Sequence, residues 1–155
     1  MGQGMTSAEQ CAVPASMARW PDAAEFIQDF CTRHGVARTQ GLRLTLVAEE
    51  LFTNVVEHGR AAGADAPPRI RLELALAHGA LELLFEDTAQ AFDPLAHARE
   101  QPAMLDGPAE ARPVGGLGLH LVASLADSAC YAREDGCNRL RLRLALAPAD
   151  DQPGS

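Results

Sequence analysis

Glu50, Asn54 and His58 stand four residues apart in VAEELFTNVVEHG, residues 47–59. In a helix four residues turn through about 400°, so each side chain lies about 40° from the last and the three line one polar stripe. A carboxylate, an amide oxygen and an imidazole on one stripe could hold a hard cation and the oxygens around it. Mg2+ suits the arrangement, because it takes few protein ligands and keeps waters and substrate phosphates. The same stripe also fits a solvated helix face with an Asn for solubility.

A second group lies in FEDTAQAFDP, residues 85–94. On a strand over 81–87, Leu81, Leu83, Phe85 and Asp87 share parity, so Asp87 points the way the apolar residues do. A buried carboxylate needs partners. A ligand amino group is one, since a carboxylate accepts strongly from N–H; capping the turn that follows is another role. Phe92 either walls a flat ligand or fills core. A third group is VGGLGLHLV, residues 114–122, where Gly115, Gly116 and Gly118 precede a helix. Small residues there let backbone N–H groups and the helix terminus approach an anion, although a flexible hinge would have the same composition. A dinucleotide-binding motif is excluded by context, since no strand precedes these glycines. A Walker A loop is excluded because all 13 basic residues are Arg and its mechanism needs a Lys.

These groups need elements to position them. PDAAEFIQDFCTRHG, residues 21–35, reads as a helix with capping-box spacing at Asp22 and Glu25, a stripe of Ala23, Phe26, Ile27 and Phe30, and a stop at Gly35. A second helix runs from Thr39 to His58 with Leu44, Val47, Ala48, Leu51 and Val55 inward. CAVPA, residues 11–15, reads as a short edge strand. Strands follow at 69–76, 81–87, 128–134 and 138–147, with hairpin turns at HGA and EDGC. In the last strand Leu140, Leu142, Leu144 and Leu146 alternate with arginines. The expected architecture is α/β, an α+β two-layer sandwich: a mixed, mostly antiparallel sheet with helices on one face and water on the other. The segment 93–114 carries Pro94, Pro102, Pro108 and Pro113, and so long a connection reads as a lid or binding loop. A third helix, LGLHLVASLAD, turns Leu121, Val122 and Leu125 inward.

With 155 residues, 47% of them hydrophobic, the chain makes one domain with a core. Its net charge of −8 argues against a nucleic-acid partner. No apolar run reaches membrane-spanning length and no secretory signal opens the chain, so a cytoplasmic location is expected. Cys11, Cys31, Cys130 and Cys137 then read as reduced, mostly buried thiols; a disulfide joining Cys130 to Cys137 across the hairpin is the lesser reading. Residues 1–10 and 149–155 are expected to be disordered ends around a domain at 11–148.

The three groups, in this order and spacing, resemble the GHKL ATPases of the Bergerat ATP-binding fold, and among them the anti-sigma-factor serine/threonine-protein kinases of the RsbW and SpoIIAB type. EELFTNVVEHG is similar to that family's N box, EDTAQAFDP to its G1 box and RPVGGLGLHLVASLAD to its G2 box. The resemblance spans roughly 20–147 and implies a histidine-kinase-like ATPase domain that uses ATP and Mg2+. It implies that Asn54 binds Mg2+, Glu50 is the general base and His58 lies further along, near the phosphates or lid. It implies that Asp87 accepts from the adenine amino group, that Gly115, Gly116, Leu117, Gly118 and Leu119 hold phosphates with backbone amides, and that 95–114 is the ATP lid. Arg112, at the end of that lid, is the candidate cation on the γ-phosphate.

The resemblance further implies a homodimer that phosphorylates a STAS-domain anti-anti-sigma partner. A sigma factor or other effector is its second partner, in a partner-switching system. The alternative is a nucleotide-gated binding module without phosphoryl transfer. One departure stands out: Ala89 occupies a place the family usually gives to Gly. If the backbone there needs positive φ, the cost is about 1–2 kcal/mol, or about tenfold or more in affinity. If it does not, the cost is small.

Overall fold

The computed structural model describes residues 6–59, 65–96, 122 and 124–146. In chain order it contains β1 (Glu9–Pro14), a 3-10 turn (Met17–Arg19), α1 (Trp20–Arg33), α2 (Arg38–His58), β2 (Arg69–Ala77), β3 (Ala80–Asp87), β4 (Ser128–Glu134) and β5 (Cys137–Ala145). The strands form one sheet in the order β1-β2-β3-β5-β4. The expected mostly antiparallel sheet is antiparallel at every described pairing.

Alternation in the strands fixes which face is dry. Ile70, Leu72 and Leu74 of β2, Leu81, Leu83 and Phe85 of β3, and Leu140, Leu142 and Leu144 of β5 are all buried. They share one core with Ala23, Ile27 and Phe30 of α1 and Leu44, Val47, Leu51 and Phe52 of α2. Each such large apolar side chain contributes about 1.5–3 kcal/mol through burial. Trp20 meets Phe52 edge-on at 5.4 Å, fastening the start of α1 to the middle of α2. Of the inward residues expected on the third helix, Val122 is fully buried, Leu125 packs at the edge of the core, and Leu121 lies outside the described residues.

The opposite face is ionic. Glu86 accepts from Arg71 at 3.0 Å and from Arg139 at 2.6 Å, one guanidinium on each neighbouring strand. These two arginines hold its carboxyl below the usual carboxylate value. Both hairpins turn through residues of positive φ, His78 and Gly79 between β2 and β3, and Asp135 and Gly136 between β4 and β5. That is the backbone twist two-residue hairpin loops require.

The ends of α1 differ in how well they follow their local signals. The predicted capping box at Asp22 does not form: the helix starts earlier, at Trp20, with Pro21 in its first turn, and its N-cap Arg19 makes no side-chain cap. Asp22 therefore lies inside the first turn, where it pairs with Arg19. The cap belongs instead to the preceding 3-10 turn, where Ser16 accepts from the Ala18 N–H. The C-terminus stops as expected. Gly35 has φ +67°, and the Val36 and Gly35 N–H groups return to the carbonyls of Cys31 and Thr32, a Schellman closure.

Strand β1 begins at Glu9, inside the stretch 1–10 expected to be disordered. Pairing explains this: Thr6 bonds Leu76 through both its backbone N–H and its hydroxyl. Arg33 and His34 clasp the Glu9 carboxylate and lower its pKa to about 2. Residues 149–155 and the predicted domain end at 148 lie outside the described residues. All four cysteines are free: Cys31 is buried, Cys11 and Cys137 are half-buried, and Cys130 is exposed. Cys130 pairs in register with Arg141 and Cys137 with Glu134, so the two thiols do not face each other and the hairpin disulfide is not formed.

Candidate functional site

The last turns of α2 run past the end of β3, and a cavity of about 150 Å³ opens between them. Asn54, His58, Asp87, Ala89 and Phe92 all line it, brought from a helix, a strand end and the loop after it. Leu51, Val55, Phe85 and Leu140 supply apolar wall. Such a mix of mostly apolar lining with a few placed polar groups is what a small-molecule site needs.

Asp87 is 6% exposed. Its Oδ1 accepts from Asn138 Nδ2 at 2.9 Å and from the Ala89 N–H at 3.0 Å. The bond to Ala89 is the turn-capping role read from the sequence. Among the described residues no donor reaches Oδ2. Burial pushes the Asp87 carboxyl up, against the lowering effect of Asn138 and Ala89. A buried carboxylate oxygen without a donor is costly, and an amino group entering the cavity would supply one.

Asn54 is half-buried, and among the described residues nothing hydrogen-bonds its amide. No three His, Cys, Asp or Glu side chains gather as a metal cage among the described residues. A cation at Asn54 would therefore need oxygens from a bound phosphate and water, which is the coordination Mg2+ favours. The Asn54 amide oxygen is a ligand of the kind that ion takes, and the Asp87 carboxylate is an acceptor of the kind an aminopurine amino group needs. His58 is exposed at the mouth, 3.7 Å from Glu57.

Glu50 lies one turn before Asn54 and is half-buried, but it does not line the cavity. Burial, then the charges of Glu49 and Glu57, raise its carboxyl above the ordinary value. A raised carboxylate is a stronger base.

The backbone at Ala89 settles the conditional expectation raised by its methyl group. Among the described non-glycine residues only His78 and Asp135 have positive φ, so Ala89 carries no such strain. Its N–H goes to Asp87, and its carbonyl accepts from Arg133 Nη1 at 2.7 Å. The methyl stands against Gly59, where an added Cβ would lie 2.9 Å from Ala89 Cβ and 2.6 Å from the Val55 carbonyl oxygen. The bare Gly59 makes room for the methyl.

Arg112, Gly115, Gly116, Leu117, Gly118 and Leu119 lie outside the described residues, as does the expected lid at 95–114 apart from its first two residues. Those two follow a cap: Asp93 Oδ1 accepts from the Leu95 and Ala96 N–H groups.

Three site residues escaped sequence reasoning. Asn138 is 6% exposed and stands opposite Asp87 in the β3–β5 register. Tyr131 lines the cavity from β4, and Arg133 ties down the loop. The signal for Asn138 was its parity with Leu140, Leu142 and Leu144, which puts a polar residue on the dry face.

A family model described as a histidine kinase-like ATPase domain matches residues 13–144. No curated protein matches the chain in sequence. Among solved structures, the fold is similar to the crystal structure of the RsbU and RsbW domains of Rv1364c from Mycobacterium tuberculosis. The TM-score is 0.64 at 18% identity, over 93% of this chain and 34% of that one. The chain thus spans about a third of that protein's crystallised length. Among the described residues no helix is long and apolar enough to cross a membrane.

Proposed function

The chain belongs to the histidine kinase-like ATPase domain family, and from that premise we propose that it transfers the terminal phosphoryl group of ATP to a serine of a STAS-domain anti-anti-sigma protein. It works in the cytoplasm as a homodimer and alternates between that substrate and a sigma factor or other effector. The observation that carries nucleotide binding is the Asp87 carboxylate, one oxygen tied down and the other receiving no hydrogen bond from the described residues, lining a cavity shared with Asn54, whose amide likewise receives none from them.

In this reading Asp87 accepts from the adenine amino group, and Ala89 and Phe92 wall the base. Asn54 holds Mg2+, which when bound neutralises charge on the phosphate oxygens. Gly115, Gly116, Leu117, Gly118 and Leu119 offer backbone amides to the phosphates, Arg112 adds a cation and His58 stands near the lid. Glu50 takes the proton of the serine hydroxyl as its oxygen bonds to the γ-phosphorus. The bond from that phosphorus to the bridging oxygen breaks, and ADP leaves with the electron pair. The raised carboxyl of Glu50 supports this role.

The test is incubation of the purified chain with labelled ATP, Mg2+ and its STAS-domain partner. Phosphoserine should form with the wild type and not with Glu50→Gln. A second reading, a nucleotide-gated binding module, is favoured by the position of Glu50 outside the cavity lining. It predicts nucleotide-dependent partner binding with no phosphoserine.

A further inference from the structure

We propose that Asn138 is the positioning residue of the base-reading end of the cavity, holding Asp87 in the orientation that selects an amino over an oxo group. The inference rests on the nucleotide reading above and adds a residue to it. A carboxamide has two N–H donors and two acceptor positions, and all four of Asn138 are used inside the protein. Its Nδ2 donates to Asp87 Oδ1 at 2.9 Å and to the Gln90 carbonyl at 2.9 Å. Its Oδ1 accepts from the Phe92 N–H at 3.1 Å and from the Tyr131 hydroxyl at 2.6 Å. Turning the amide over would set its oxygen against a carboxylate and a carbonyl, and its NH2 against the Phe92 N–H. The network therefore fixes the orientation.

Three consequences follow from that saturation. Asn138 has no valence left for a ligand, so it does not read the base itself. It commits Oδ1 of Asp87 and leaves Oδ2 to meet a donor from the cavity. It also fixes Gln90 and Phe92, so the wall and the acceptor are set by one side chain. Satisfied buried networks of this kind impose a unique geometry, and a half-satisfied one loses it.

The experiment compares ATP with inosine triphosphate, which carries an oxo group where adenine carries the amino group. Both are titrated by calorimetry into the wild type and the Asn138→Leu, Asn138→Asp and Tyr131→Phe variants. The wild type should prefer ATP. Asn138→Leu should reduce that preference by about tenfold or more, the scale of a buried hydrogen-bonded charge left unsupported. Asn138→Asp puts a second carboxyl against Oδ1, so its ATP affinity should recover as pH falls and the pair takes up a shared proton; a merely structural residue would not give that pH signature. Tyr131→Phe removes one acceptor bond of Asn138, keeps the fold testable if the other variants unfold, and should reduce the preference by about twofold or more. Folded variants that keep the wild-type ratio overturn the inference and leave nucleotide binding intact. A wild type that binds neither nucleotide overturns the nucleotide reading, and this inference with it.

Discussion

Asp87→Asn is the sharpest perturbation, because it changes one charge with almost no change of shape. Oδ1 accepts from two donors, Asn138 Nδ2 and the Ala89 N–H. An Asn at this position keeps both bonds only by turning its oxygen toward them. Its NH2 then takes the place of Oδ2 and presents a donor to an incoming amino group. The charge-assisted bond that is lost is worth about 1.5–3 kcal/mol, so ATP affinity should fall by about 10–150-fold. Stability should move the other way. Burial raises the folded-state pKa of Asp87 above its ordinary 3.8, so the folded state binds more protons than the unfolded state above that value. Stability contributed by this group is present below pH 3.8 and lost as pH rises through the folded pKa. The variant lacks that loss and should unfold at an equal or higher temperature than the ligand-free wild type at neutral pH. Calorimetric titration and thermal unfolding check the two halves. ATP affinity within twofold of wild type, in a folded variant, would refute the reasoning.

Further outcomes follow from other contacts. Gly59→Ala brings a Cβ within 2.6 Å of the Val55 carbonyl oxygen and 2.9 Å of Ala89 Cβ, which should destabilise by about 1–3 kcal/mol in thermal unfolding. Adding Ala89→Gly should recover only part, since the carbonyl clash remains. Gly35→Ala, at φ +67° with open space around it, should cost about 1–2 kcal/mol from backbone strain alone, read from denaturant midpoints. The phosphoryl-transfer rate should rise with pH through a Glu50 pKa raised above 4.5, since the base must be deprotonated; a pH–rate profile with no such limb contradicts its role. Glu86, held below 4.5 by Arg71 and Arg139, contributes stability present above pH 4.5 and lost as pH falls through its folded pKa. Glu86→Gln should therefore show a weaker acid dependence of unfolding than the wild type.

Much of the fold was legible because its signals are local. The leucine alternation in β2, β3 and β5 set the dry face, Gly35 stopped α1, and the parity of Asp87 with Phe85 sent its carboxylate inward. The parts that were not legible depend on register or on distant contacts. Asn138 heads a strand of alternating leucines, and its partner Asp87 is known only once β3 and β5 are aligned. The fit of Ala89 against Gly59 joins a loop to a helix end far away in sequence. The start of α1 misled because a competing 3-10 turn, capped by Ser16, delivers the chain to Trp20 before Asp22 is reached. The start of β1 was placed late because Glu9 gains its partners Arg33 and His34 only in the folded chain.

Titration of ATP and ADP into the purified chain, with and without Mg2+, tests the central claim most directly. Saturable binding of both nucleotides, tightened for ATP by Mg2+ and abolished or strongly weakened by Asp87→Asn, is the predicted result. No binding of either nucleotide at millimolar concentration would contradict the account.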